Sequence, residues 1–412
     1  MPSSKEITSP YQVHSPHPSR EVAHIIDLIR VLGPTTRAHL TEYTAKGRNA
    51  VAALVNEAMS TGLIIENGHA PSTGGRAPQT WAFSPSAGRV LAATIEVESY
   101  RVAITDLAGT VYAQKRKPWR IQSGPEETLR AIASDLRELS GQGNGPLSSD
   151  EGGAAPIWGM GLSVPGPVDH RTGRPSSPPI MPGWDGFDIP GFLSDLIHAP
   201  VLVDNDVNAM ALGHPAESPE ESFIFIQIGT GIGAGIISSG TLHRGARGAA
   251  GDIGHTRIPG AENTVCRCGR IGCLEASAGG WAQELSAHHL ATSGMSSYLA
   301  QVLNQQGCIS VADIVIGAQS GDSACAHLVA EAARDIGGVL AVLVSFYNPA
   351  RIILAGTLPS GSSLFLEGVE RAISEQALAL ATEDLRIETL TSGSDNGLRG
   401  CARMVVEAAF QI

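Results

Sequence analysis

Residues 251–276 read GDIGHTRIPGAENTVCRCGRIGCLEA, and within them His255, Cys266, Cys268 and Cys273 make a complete tetrahedral ligand set for zinc. Three thiolates and a neutral imidazole leave no coordination position open, so the metal is expected to be a structural Zn2+ that staples a loop. Gly269 and Gly272 let so short a knuckle turn. Half of the chain's six cysteines fall in the eight residues 266–273, which weighs against unrelated buried thiols. Cys308, Cys325 and Cys401 are scattered, too sparse for a disulfide framework, and a reducing cytoplasm is the expected setting.

Composition agrees with that setting. The 412 residues are 42% hydrophobic, without an apolar run long enough to span a bilayer and without one near residue 1, so no membrane partner and no secretion are expected. The length allows two or three domains. A net charge of -12 excludes a surface built throughout for phosphate backbones. From Arg20 to Ser86, however, six Lys/Arg stand against five Asp/Glu, so the acidity belongs to the rest of the chain. Residues 1–19, rich in Ser, Pro and His, and residues 140–156, rich in Gly, Ser and Pro, are expected to be poorly ordered, the first as a tail.

Residues 20–86 carry a helical period in short segments. EVAHIIDLIRVLG places Val22, Ile25, Ile26, Ile29 and Leu32 on one face and stops at Gly33 and Pro34. TTRAHLTEYTA begins a second helix at a Thr cap, and GRNAVAALVNEAMSTGL is a third that buries Val51, Leu54, Val55 and Met59. LIIENGH and PSTGGRAPQTWAF then read as two strands joined at a Gly-Gly-Arg turn. Pattern alone leaves two readings, a small helical bundle for protein contacts or a winged helix-turn-helix. In the second, Lys46, Arg48 and Asn49 lead the helix that enters the major groove, Arg37 meets the backbone and Arg76 sits at the wing tip.

From about residue 88 to 412 strands and helices alternate. VLAATIEV, YRVAITDLAG and TVYAQKR form a meander, ETLRAIASDLREL is a helix, and IWGMGLSV and VLVDND are strands. FIFIQIG and GAGIISSG open a second set, followed by the helix from Asp322 to Asn348, the strands RIILAG and RIETL and a last helix GCARMVVEAAF. Two such α/β lobes, meeting near residue 200, suggest a duplicated actin-like (RNase H-like) fold with a ligand cleft between the lobes.

Six motifs stand in one order: LSVPGPVD at 162–169, PGW at 182–184, VDNDVNAMALG at 203–213, IGTGIGAGI at 228–236, GAAGDIGH at 248–255 and CRCGRIGCLEA at 266–276. With the GGR wing they resemble the ROK family of bacterial sugar kinases and sugar-responsive transcriptional regulators, over residues 20–410. The resemblance implies the two-lobe sugar-kinase fold behind an N-terminal winged helix-turn-helix, and places Asn205, Asp206, Asp252, His255 and Glu275 around a sugar, with Gly166 in the turn behind it. A ring of hydroxyls calls for such carboxylates and amides, each able to complete a donor-acceptor pair. Asp252 departs from the Glu usual in the family, which bears on the identity of the sugar or sugar phosphate. His255 has two tasks on this reading, one nitrogen for zinc and one for a sugar hydroxyl.

Two functional classes remain. In kinases of the family the residue matching Asp206 is the base that deprotonates the attacking hydroxyl, and ATP is held by a DxGGT turn after the first strand. Here that turn is TIEVES, Thr94 to Ser99, with no glycine and with Glu96 and Glu98 where phosphate would approach. The second phosphate turn, Gly229, Thr230 and Gly231, is intact, yet the same turn is needed to close the lobe. The expectation is therefore a regulator of carbohydrate metabolism, in the family's commoner habit a repressor, in which Asp206 is a vestigial base or a sugar ligand. ATP is not expected to bind. Operator DNA, a sugar effector and a second or further copies of the chain, as homodimer or homotetramer, are the implied partners. The competing class is a glucokinase-like enzyme with an appended DNA-binding domain.

Overall fold

The computed structural model describes residues 19–71, 77–141, 155–391 and 394–410. They fall into two compact units. One holds the chain up to Ser176, Met181–Pro215 and the stretch from Asn396; the other holds Ser177–Ile180 and Ala216–Asp395.

The first unit opens with α1 (Arg20–Leu32), whose buried face of Val22, Ala23, Ile25, Ile26 and Ile29 follows the helical period, and Gly33 in a left-handed conformation ends it. After β1 (Thr35–Thr36), the Thr36 hydroxyl accepts the His39 amide and starts α2 (Arg37–Thr44). α3 (Arg48–Ser60) buries Val51, Val55 and Ala58, while Leu54 and Met59 are only half-buried. β2 (Ile64–His69) and β3 (Gln79–Phe83) pair antiparallel, and β1 adds to β3, giving three helices and a small sheet. The Gly-Gly-Arg turn with Arg76 lies outside the described residues.

The same unit continues with β4 (Arg89–Ile95), β5 (Ser99–Asp106), β6 (Val111–Pro118), α4 (Pro125–Ser140), β7 (Ile157–Val164), the short pair β8 (Val168–Asp169) and β9 (Arg174–Pro175), α5 (Ile189–Ile197), β10 (Val201–Asn205) and α6 (Asp206–Gly213). β4, β5 and β6 form the antiparallel meander, and β7 and β10 extend it in parallel from β4. β4 and β7 are buried nearly throughout, whereas β6 alternates and carries Lys115, Arg116 and Lys117, as suits an edge.

The second unit repeats the plan. β11 (Phe223–Ile228), β12 (Ile232–Ser238) and β13 (Thr241–Leu242) make the meander. After α7 (Leu274–Ala278), α8 (Gly280–Thr292), α9 (Ser297–Gln306), α10 (Val311–Gln319) and α11 (Ser323–Tyr347), β14 (Arg351–Ala355) joins β11 in parallel. α12 (Thr357–Gly361), α13 (Ser363–Gln376) and α14 (Ala379–Thr382) lead to β15 (Arg386–Leu390), parallel to β14. Both five-stranded sheets therefore share one spatial order, running from the last strand through the fourth, first and second to the third. That shared order is the duplication expected from the repeated meander.

α15 (Asn396–Phe410) belongs to the first unit and packs on α6, β7, β4 and α1. Its approach is backbone to backbone. A β-carbon at Gly400 would run into the Ala209 carbonyl, one at Gly213 into the Asn396 carbonyl and one at Gly161 into the Cys401 carbonyl. Further along, Ala402, Val405, Val406, Ala409 and Phe410 enter the core of the three-helix module beside Val22, Ile25, Leu40, Val55 and Trp81. Phe410 meets Phe83 and Trp158 edge-on, at ring separations of 6.3 and 5.9 Å.

Candidate functional site

The cysteine knuckle is a hairpin built on hydrogen bonds that its own glycines permit. The Cys266 amide donates to the Arg270 carbonyl at 2.8 Å and the Gly269 amide to the Cys266 carbonyl at 2.9 Å, with Gly269 and Gly272 both at φ +83°. The amides of Leu274 and Glu275 donate to the carbonyls of Thr256 and Gly254, which bracket His255 and hold it against the thiols. One ligand atom from each of His255, Cys266, Cys268 and Cys273 lies within 4.8 Å of the others.

These four residues fit a metal ion. Bond lengths of about 2.3 Å to sulfur and about 2.0 Å to nitrogen in a tetrahedron put ligand atoms roughly 3.5–3.8 Å apart. Cys266 Sγ lies 3.7 Å from His255 Nδ1, and Cys268 Sγ lies 3.7 Å from Cys273 Sγ. Burial, with Cys268 and Cys266 beside it, pushes the Cys273 thiol up to about 12. A cation among the sulfurs removes that penalty by neutralising the thiolates it binds.

The knuckle also delivers Glu275 to the turn Gly229, Thr230 and Gly231. Glu275 Oε2 accepts the Ile232 amide at 3.2 Å, and a β-carbon at Gly231 would meet that same oxygen. The amides of Gly280 and Trp281, at the start of α8, donate to the carbonyls of Gly229 and Thr230. The turn is thus held by the protein's own helix, and Gly231 leaves room for the Glu275 carboxylate whether or not phosphate ever arrives. Asp252, on an exposed loop, follows Gly251, where a β-carbon would strike the Ala234 carbonyl.

In the first unit Asn205 caps α6, its Oδ1 accepting the amides of Val207 and Asn208, while its Nδ2 donates to the Gly166 carbonyl at 3.0 Å. One side chain therefore fixes both the PGP turn and the first residue of the helix, Asp206. Burial pushes the Asp206 carboxyl up to about 7, with Glu96 adding to the rise and the Val207 amide opposing it.

The turn from Thr94 to Ser99 is closed tightly. The Glu96 amide donates to the Ser99 carbonyl, and the carbonyls of Val97 and Glu98 accept the amides of Ile121 and Trp119. Glu96 Oε2 accepts from Ser99 Oγ at 2.6 Å and from Arg116 at 3.1 Å, so its charge is partly balanced. Sequence reading did not find Arg116, because it pairs across the meander from β6.

On the three-helix module, Arg48 and Asn49 open α3 and are exposed. Lys46 precedes the helix and its Nζ lies 2.5 Å from Glu21 Oε1 on α1. Arg37 lies over the Trp81 ring at 4.7 Å and donates to Asn56 Oδ1 at 3.2 Å.

The ROK family model matches residues 94–408. A xylose repressor of Caldicellulosiruptor bescii is 28% identical over 90% of this chain and 91% of its own length. A glucokinase of Halalkalibacterium halodurans is 30% identical over 73% of this chain and 89% of its own length. Among solved structures, a ROK family transcriptional regulator described as a homologue of the E. coli MLC protein superposes with a TM-score of 0.78 at 21% identity, covering 95% of this chain and 96% of that one.

Proposed function

The chain belongs to the ROK family, and from that premise we propose that it is a DNA-binding transcriptional repressor whose affinity for an operator is set by a bound sugar or sugar derivative. The observation that carries this reading is the pairing of an exposed Arg48 and Asn49 at the start of α3 with a closed, glycine-free turn at Thr94–Ser99. Major-groove reading needs the first, and a polyphosphate cradle cannot use the second. The repressor relative aligned over 90% of this chain and the kinase relative aligned over 73% support the same choice.

Asn205, Asp206, Asp252, His255 and Glu275 are the proposed polar ligands of the sugar, with Gly166 fixed behind Asn205. A structural zinc on His255, Cys266, Cys268 and Cys273 supplies rigidity: with Nδ1 turned to the sulfurs, Nε2 of His255 is left for a hydroxyl. A sugar held at Asp206 moves the start of α6, and α6 bears on α15, whose far end lies in the core of the winged module. The ligand changes DNA affinity by as much as it prefers one arrangement of these helices over the other. Two copies of the chain present two recognition helices to a palindromic operator in the cytoplasm. A kinase reading keeps one observation in its favour, Asp206 at the N-terminus of α6 with its proton held near neutrality.

The deciding experiment selects bound fragments from genomic DNA, then follows the bound fragment by gel shift while unphosphorylated and phosphorylated sugars are titrated. At least one sugar is expected to shift the operator affinity fivefold or more, and Arg48→Ala is expected to weaken DNA binding about tenfold while leaving sugar-induced thermal stabilisation unchanged. Failure to retain any fragment at low salt, together with ATP-dependent sugar phosphorylation at ordinary kinase rates, sinks the regulator reading.

A further inference from the structure

In the first unit three neighbouring strands end side by side and bring two acids to one edge of the sheet. The parallel register of β4, β7 and β10 sets Thr94, Ser163 and Asp204 in a single buried row. Two residues beyond that row each strand has ended, and the chain stands at Glu96, Pro165 and Asp206. With neighbouring strands about 4.8 Å apart, the stems of Glu96 and Asp206 flank the PGP turn at a separation of about 10 Å. The groups that could welcome an anion there are already engaged. Arg116 donates to Glu96 Oε2 at 3.1 Å and to Ser99 Oγ at 3.3 Å. At the start of α6 the Val207 amide donates to Asn205 Oδ1 at 2.8 Å and to Asp206 Oδ1 at 2.9 Å, and the Asn208 amide to Asn205 Oδ1 at 3.4 Å, so this helix terminus is filled by the protein's own oxygens.

We infer that Glu96 is a specificity-determining residue, which lets the site take an unphosphorylated sugar and turns away one that carries a phosphate ester beside Asp206. A phosphate monoester bears close to two negative charges, and between the stems of Glu96 and Asp206 it would lie about 5 Å from each. Like charges at that distance, with water expelled, are a strong element of discrimination against the wrong ligand. A sugar hydroxyl in the same place meets the opposite reception, because it has a proton to donate and the carboxylates accept it. The two acids already act on one another, since Glu96 adds to the rise of the Asp206 carboxyl. Glu96 is fixed in its position by Ser99 Oγ, which donates to it at 2.6 Å, and by Arg116, so its charge cannot swing aside without breaking both contacts. The turn that is closed to a polyphosphate is on this ground closed to phosphate esters as well. The inference rests on the reading of Asn205 and Asp206 as sugar ligands and narrows the effector that they hold.

Calorimetric titration of the full chain with xylose, glucose, mannose and N-acetylglucosamine, each free and as its terminal phosphate ester, tests the inference. Where a sugar binds, the free form is expected to be held roughly 100-fold more tightly than its ester, and added salt should narrow that ratio. Glu96→Gln keeps an acceptor for Ser99 and Arg116 while removing the charge, and should narrow the ratio roughly tenfold, mainly by tightening the ester. Glu96→Ser repeats the test with a shorter side chain should the amide disturb the turn, and the wild-type ratio with its salt dependence stands apart from either variant. An ester that binds as well as the free sugar, or a ratio that neither salt nor a folded variant moves, overturns the role given to Glu96. Binding of the esters alone leaves the sugar-sensing reading in place and removes only this inference, whereas a chain that binds none of these ligands overturns both.

Discussion

Asp206 shows how one carboxylate can be made sensitive to pH by its neighbours. Its proton is held in the fold more tightly than in an unfolded chain, because burial and the nearby Glu96 outweigh the Val207 amide. The stability carried by the protonated form is therefore complete below the ordinary carboxylate range and is lost as pH rises through about 7. A sugar hydroxyl that donates to this group needs the anion, so sugar affinity is expected to rise about tenfold between pH 6 and 8. Calorimetric titration should find that rise abolished in Asp206→Asn; a slope unchanged by the substitution would remove Asp206 from the sugar's contacts. The knuckle gives a second prediction. Cys268→Ser should lower bound zinc, measured by atomic absorption, from one equivalent to a small fraction, and a full equivalent in the variant would refute the ligand set. Cys268 is marked in the chain by the spacing of its partner ligands, whereas Asp206 is singled out by the family resemblance. Arg116 and the Lys46–Glu21 pair were not legible in the chain, since their partners lie 20 and 25 residues away and only folding brings them together.

Among elements, helices with a single buried face were legible and helices buried all round were not. α1 and α11 follow the helical period. α6, with Val207, Asn208, Ala209, Ala211 and Leu212 all buried, offers no contrast between faces for a period to register. The last helix was expected from Gly400, yet it begins at Asn396. Gly397 and Gly400 look like breakers in a sequence, but in the structure they are the places where α15 touches Thr94 and the backbone of α6. This distinction predicts opposite signs for one substitution. Gly400→Ala forces the two helices apart and should cost about 1–3 kcal/mol, seen as a melting midpoint lower by several degrees. Gly338→Ala on α11, whose new β-carbon would find its nearest neighbour at 3.8 Å, should instead stabilise by about 0.4–1 kcal/mol. Equal effects at the two sites would mean that the close approach of α15 to α6 is not what the glycine serves.

At the scale of the molecule, the repeat was readable because each lobe opens with a meander whose alternation survives in the sequence, and the two sheets share one strand order. The joining of the three-helix module to the rest was not readable. Nothing in VVEAAF announces that it completes a core begun near residue 22, because contact across that distance is a property of the fold alone. One consequence concerns biosynthesis. The three-helix module is synthesised well before α15, yet the space lined by Val22, Leu40 and Trp81 is sealed only when Val405 and Phe410 have also emerged. A chain that lacks α15 therefore carries a three-helix module with an open interior, and on the proposed regulator reading it should not occupy DNA until the rest of the chain has been made.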